Sequence, residues 1–227
     1  SGLKRTLKWL IMAAVGTYVG YLVILNGLFF TPLGHMVMNI DENSAQIRYS
    51  HAHTWRPFRV SLDGFQLRVQ DGNMQLFVTA DHVEADIIPW TMMTMKRFIG
   101  SNVTANGLTF WMRMKRDKKE IDGTTLARLP PIPGFGSVDR EVPNSTLVVT
   151  DEAYADFGAQ LTNMHITSLK QVWVEEYRYD GDIQIDGGFA YQPMRMLRLW
   201  ENTTLKIAPG QVSLGSDTFA TDFGGTI

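Results

Sequence analysis

Two small groups of side chains have the types and spacing that metal chemistry would use. His51 and His53 are one residue apart, and on a β-strand that spacing puts both imidazoles on one side, as a metal pair requires. No carboxylate or third histidine adjoins them, so the pair reads instead as part of a polar loop close to a membrane. Asp180, Asp182 and Asp186 stand near Gly181, Gly187 and Gly188. The Asp-x-Asp-x-Asp-Gly order and closing glutamate of a calcium loop are missing, and turn chemistry is the better reading. Gly134-x-Gly136 lacks the third glycine of a dinucleotide loop and sits among prolines, and neither a G-x-S-x-G elbow nor a P-loop occurs. The chain contains 0 cysteines, which excludes disulfides, thiolate zinc sites and cysteine nucleophiles. With no convergent acid, base and nucleophile, the sequence predicts a non-enzymatic protein without metal or cofactor. A net charge of −2 gives no general attraction to nucleic acid.

The element that organises the chain is the uncharged apolar run Trp9 to Phe30, preceded by Lys4, Arg5 and Lys8. At about 22 residues it is long enough to cross a hydrocarbon core of about 30 Å as one helix. It exceeds the h-region of a signal peptide, no A-x-A-like site follows it, and a retained anchor is expected. No basic residue follows until Arg48, so the positive-inside rule puts the N-terminus in the cytoplasm and the rest outside. The polar members of the run are Thr17, Tyr18, Tyr21 and Asn26. Gly16 and Gly20 share a face in a small-xxx-small spacing, with Asn26 further along, an arrangement suited to packing against the helix of an integral membrane partner.

Beyond the Thr31-Pro32-Leu33-Gly34 break the period changes from helix to strand. Phe58, Val60 and Leu62 alternate with polar residues up to a turn signal at Asp63-Gly64. Phe65, Leu67 and Val69 alternate up to a second at Asp71-Gly72, and Met74, Leu76 and Val78 follow. Pro89 to Phe98 reads as one short helix. Val103, Ala105, Leu108, Phe110 and Met112 resume alternation across Asn106-Gly107 and end in Arg113, Lys115, Arg116, Lys118 and Lys119, a basic cluster read as a solvated turn. Leu129 to Gly136, with three prolines and two glycines, reads as a linker. Strand rhythm returns from Thr146, with turns expected at Asp180-Gly181, Asp186-Gly187-Gly188 and Pro209-Gly210 and a second short helix at Pro193 to Trp200. The expected fold is therefore mainly β: an anchor over 1–34, a β-rich region over 35–128, a linker over 129–136 and a second β-rich region over 137–227, with antiparallel sheet and one or two short helices. Hydrophobic residues at 44% and aromatic residues at 11% supply the core that excludes disorder.

One family likeness rests on the first half. The single helix, Val60-Ser61-Leu62-Asp63-Gly64-Phe65-Gln66-Leu67, the strand Thr79-Ala80-Asp81-His82-Val83-Glu84-Ala85-Asp86-Ile87, the Pro89-Trp90 segment and Val103-Thr104-Ala105-Asn106-Gly107-Leu108-Thr109-Phe110 together resemble the start of AsmA-like proteins. That resemblance implies an inner-membrane-anchored periplasmic β-structure with an apolar groove and a role in lipid binding or envelope structure. Trp90, Met93, Phe110 and Met112, with Trp111 and the neighbouring methionines, could line such a groove with membrane lipid as the partner, because flexible thioethers adapt to varied acyl chains. The commoner use of such residues is a closed core. The other expectation, from a different class, is an accessory subunit of a large photosynthetic or respiratory membrane complex, held by its helix and covering the periplasmic side.

Overall fold

The computed structural model describes residues 2–31, 45–70, 72–88, 91, 97–139, 158–192, 196–200 and 202–227. Helix α1 spans Gly2–Phe29, and over Lys4–Phe29 it is long and apolar enough to cross a membrane. None of its most hydrophobic window is buried within the protein. An apolar helix of this length with none of that window buried fits lipid rather than water as its surroundings.

Beyond it, the described residues form chiefly one sheet of eleven strands. The first half supplies β1 (Ala45–Arg48), β2 (His51–His53), β3 (Arg59–Gln70), β4 (Met74–Ile87), β5 (Arg97–Asn106) and β6 (Leu108–Met114). The second half supplies β7 (Gly158–Val174), β8 (Tyr177–Gln192), β9 (Met196–Leu199), β10 (Thr204–Leu214) and β11 (Asp217–Thr226). Both halves are antiparallel meanders. They meet where β5 and β6 pair in parallel with β7, a geometry that needs a long crossover. Its described part, 115–139, contains the short helix α2 (Gly123–Arg128), whose N-terminus is capped by Asp122 accepting from the Thr125 amide.

β1 with β2, and β5 with β6, act as two long interrupted strands. The continuous strand β4 pairs along both β5 and β6, with one register shift between Glu84 and Asp86, and the continuous β3 pairs along both β1 and β2. The interruptions fall on one level of the sheet. Val103 and Ala105 share a face with Leu108 and Phe110, so the inward set changes parity at Gly107. Gly107 has φ 66° and Gly64 has φ 60°, the left-handed region that glycine enters without strain. A Cβ at Gly107 would lie 1.9 Å from Asp81 Oδ2, and one at Gly64 would lie 2.1 Å from Ser50 Oγ. The two glycines thus let neighbouring strands slip together and keep their apolar residues on one side.

Several expected turns and helices are corrected. Asp63-Gly64 lies inside β3, Asp180-Gly181 and Asp186-Gly187-Gly188 inside β8, and Pro209-Gly210 inside β10. Gly188 serves close approach: a Cβ there would sit 2.4 Å from Trp200 Cδ1. The reversals in the second half fall at Glu175-Glu176 and Gly215-Ser216, where Glu175 and Gly215 adopt φ 55° and 61°. Pro193 to Trp200 is not a helix over its described part, since β9 pairs with β8 from Gln192↔Met196 to Phe189↔Leu199. Of the expected Pro89 to Phe98 helix, Thr91 is helical, Arg97 and Phe98 open β5, and the rest lies outside the described residues. The strand expected around Thr146 lies outside them too.

Candidate functional site: an apolar trough and its anchor

The strand register assembles the apolar residues into continuous rows. One row crosses seven strands: Ala52, Leu62, Val83, Ala105, Ile166, Ile185 and Leu205 are successive partners. A second crosses eight: Ile47, Leu67, Val78, Phe110, Val172, Tyr179, Val212 and Ala220. A third runs through Val69, Leu76, Met112, Val174, Tyr177 and Leu214. No helix among the described residues covers this face. Yet Met164, Val103 and Ile183 at its centre are only 5–6% exposed, which a flat single layer would not achieve. We infer that the sheet coils so that its apolar face is concave, as large twisted sheets do. Tyr179 reaches across β10 to β11, bonding the Ala208 carbonyl at 2.6 Å and meeting Phe223 edge-on at 6.5 Å.

Phe110 and Met112, two of the expected groove residues, lie on this face and are half-buried. Trp90 and Met93 lie outside the described residues. Trp111 is a correction: as the alternate residue of β6 it takes the opposite face. There it packs against Phe77 at 5.7 Å and Trp173 at 5.9 Å and donates to Gln171.

That opposite face is polar at one end and covered at the other. The expected linker Leu129 to Gly136 has no regular structure, but it is no free tether. Leu129 and Ile132 are 3% exposed and Pro130 is fully buried, strapped across the sheet. Arg113 Nε donates to Gln75 Oε1 at 2.8 Å and its Nη1 to the Pro130 carbonyl at 2.9 Å. Gln75 Nε2 donates to the Ser137 carbonyl at 3.1 Å, and Trp173 Nε1 to that of Arg128. The basic cluster is therefore not wholly solvated. Arg113 is buried, with desolvation drawing its pKa down, and Arg116 pairs with Glu175 at 2.7 Å. Lys118 and Lys119 remain exposed in a single 3-10 turn.

At the end of the polar face nearest α1 lies a charged cluster. Arg59 pairs with Glu84 at 2.6 Å and Asp86 at 3.2 Å, Arg56 with Asp86 at 3.0 Å, and His82 with Asp63 at 2.6 Å. The hydrogen bond from Arg59 holds Glu84 below the usual carboxylate range, and the bond to His82 does so for Asp63. His51 and His53 are on strand β2, not in a loop, and face Asp63 and Ser61 across the pair. Among the described residues no group of three or more histidines and carboxylates is placed to hold a metal. Further along, His165 and Asp186 are direct register partners bonded at 2.5 Å. They line an open cleft of about 1010 Å³ with Arg198, Trp200 and Asn202. Asp180 and Asp182 are spent on Gln171 and Ser168, so the three aspartates of the sequence do not converge.

The polar residues of α1 find partners inside the chain. Asn26 Nδ2 donates to the Leu22 and Thr54 carbonyls, and its Oδ1 accepts from the Thr54 amide, all at 2.8 Å. Tyr21 Oη is 2.9 Å from Thr54 Oγ1 and Tyr18 donates to the Trp55 carbonyl. Residues 18, 21, 22, 25, 26 and 29 form one helical stripe, most of it half-buried against this tip and the neighbouring β1–β2 segment. Asn26 thus holds the helix to its own β-domain, whereas Gly16 and Gly20 have open space where a Cβ would stand. Sequence reading alone missed this pairing. The signal was the 3–4 spacing of Tyr18, Tyr21 and Asn26 in an otherwise apolar run.

What fold and site define is a mainly β protein, one coiled sheet with an apolar trough, tied to a single helix of membrane-spanning length. No family model matches the sequence, and comparison with curated proteins finds no match.

Proposed function

We propose that this is a non-enzymatic, membrane-anchored periplasmic protein of AsmA-like type, in which the trough binds the acyl part of membrane lipid in an envelope role. The carrying observation is the set of apolar rows that cross seven and eight strands with no described helix over them. An ordinary half-buried sheet presents such a face to a covering layer. Half-buried Phe110, Met112, Val83 and Val172 offer flexible and aromatic surface of the kind that adapts to varied chains. Lys4, Arg5 and Lys8, at the start of α1 and before its apolar run, support a cytoplasmic N-terminus, and the AsmA-like reading supports a bacterial inner membrane. Native mass spectrometry of the chain in mild detergent, with analysis of bound lipid, tests the reading. Stoichiometric phospholipid lost on Phe110→Asp supports it, and a lipid-free chain refutes it.

A second reading has its own support. Gly16 and Gly20 lie on a helix whose hydrophobic window has no internal cover, the surface that close helix pairing uses. On it the protein is an accessory subunit of a large photosynthetic or respiratory complex. Persistence in a large cofactor-bearing particle that Gly16→Leu disrupts is the outcome that would favour it.

A further inference from the structure

The link between β2 and β3, Thr54 to Phe58, has no regular hydrogen-bond ladder, and its side chains are unusually apolar for a loop. Trp55 is 53% and Phe58 49% exposed. Its place along α1 is what gives this meaning. Contacts to the tip begin at Tyr18 and continue to Asn26. At about 1.5 Å per residue, the helix from Lys8, the last charge before the apolar run, to Tyr18 is only about 15 Å long, short of the roughly 30 Å that a hydrocarbon core requires. A bilayer crossed by α1 must therefore extend past Tyr18, to the level where the tip is docked.

Most of the tip's backbone is satisfied within the protein, and the Trp55 and Arg56 amides and the Pro57 carbonyl are left for water or headgroups at the membrane interface. Irregular backbone survives at membrane depth only where protein groups satisfy its amides and carbonyls. Asn26 takes both the amide and the carbonyl of Thr54, Tyr18 takes the carbonyl of Trp55, and Tyr21 bonds the Arg56 carbonyl and the Phe58 amide. The Phe58 carbonyl accepts from the Ile87 amide at 2.7 Å. Pro57 has no N–H to satisfy. Arg56 keeps its charge compensated by Asp86 and lies over the Trp55 ring at 5.6 Å.

We propose that the Thr54–Phe58 tip is immersed in the interfacial region of the leaflet opposite the basic N-terminus, with Trp55 and Phe58 in contact with lipid and α1 satisfying five of the tip's backbone groups. This rests on the reading that α1 spans a bilayer. Immersion makes the anchor two-pronged: the trough cannot swing about a single flexible tether and opens at a set height above the membrane.

Because the chain has 0 cysteines, single nitroxide labels report single sites. The full chain carrying Trp55→Cys, Phe58→Cys, Val15→Cys or Lys119→Cys is labelled in phosphatidylcholine–phosphatidylglycerol vesicles, and collision with oxygen is compared with collision with a water-soluble nickel chelate. The expected result is an oxygen-to-nickel ratio at 55 and 58 several-fold above that at exposed Lys119 and approaching that at Val15. Lipid-like values at 15 with water-like values at 55 and 58 overturn the tip inference and leave the anchor standing. Water-like values at 15 overturn both, and shielding of 55 from both probes means a protein partner and overturns lipid contact. A readout that needs no cysteine is quenching by brominated phosphatidylcholine, which must dim wild type more than Trp55→Phe.

Discussion

The two faces of the sheet are built from the same strands and stabilised by opposite means. On the concave face, the rows through Ile166 and Tyr179 bury apolar side chains against one another with almost no polar group involved. On the convex face, Arg113, Gln75 and Trp173 hold a proline-rich strap by hydrogen bonds to its carbonyls. Apolar burial is non-directional and tolerates a guest that offers more apolar surface. A buried hydrogen-bond set is directional and specifies one occupant, because each group left unpaired is costly. The concave face is thus suited to variable acyl chains and the convex face to one fixed segment of this chain.

The largest expected break in that contrast is a charge at the centre of the trough. Ile166→Asp, at a site 8% exposed, should cost about 4 kcal/mol or more by burying an unpaired carboxylate. Thr104→Asp, on the exposed face beside it, should change stability by about 0.5 kcal/mol or less. Thermal unfolding in detergent followed by circular dichroism compares the pair, and equal losses would mean that the two faces are not distinct. Next in size is Arg113→Ala, which leaves Gln75 Oε1 and the Pro130 carbonyl unpaired in a buried place. A loss of about 2–3 kcal/mol is expected, with faster hydrogen exchange confined to 129–138 and, on the proposed lipid-binding reading, no change in lipid retention. Loss of lipid binding in that variant would show that the faces are coupled.

The smallest effect concerns the charged end. Glu84 is held below its ordinary value chiefly by Arg59. Its contribution is full at neutral pH and fades as pH falls through the ordinary carboxylate range toward the lower folded value. Being partly exposed, the pair is worth about 1 kcal/mol or less. Glu84→Gln should therefore be less stable than wild type near pH 7 and approach it near about pH 3, as melting curves across that range will show. A constant gap would mean that Glu84 acts through shape and not charge.

The sequence by itself determined the membrane-length helix and the β class, because both are written in local periods: an uncharged run of about 22 residues and alternation at period two. It also put Phe110 and Met112 on one face, since alternation carries across a few residues without knowledge of partners. It misplaced the turns at Asp63-Gly64, Asp186-Gly187-Gly188 and Pro209-Gly210, because glycine reads alike whether it reverses the chain, slips a strand or makes room for Trp200. It left the basic cluster and Leu129 to Gly136 in solvent, because their partners, Gln75 and Trp173, are dozens of residues away. Register between distant strands and the docking of Tyr18, Tyr21 and Asn26 on Thr54–Phe58 were decided by the tertiary structure alone. Both depend on which polar groups meet once the chain has closed, and no local period encodes that meeting.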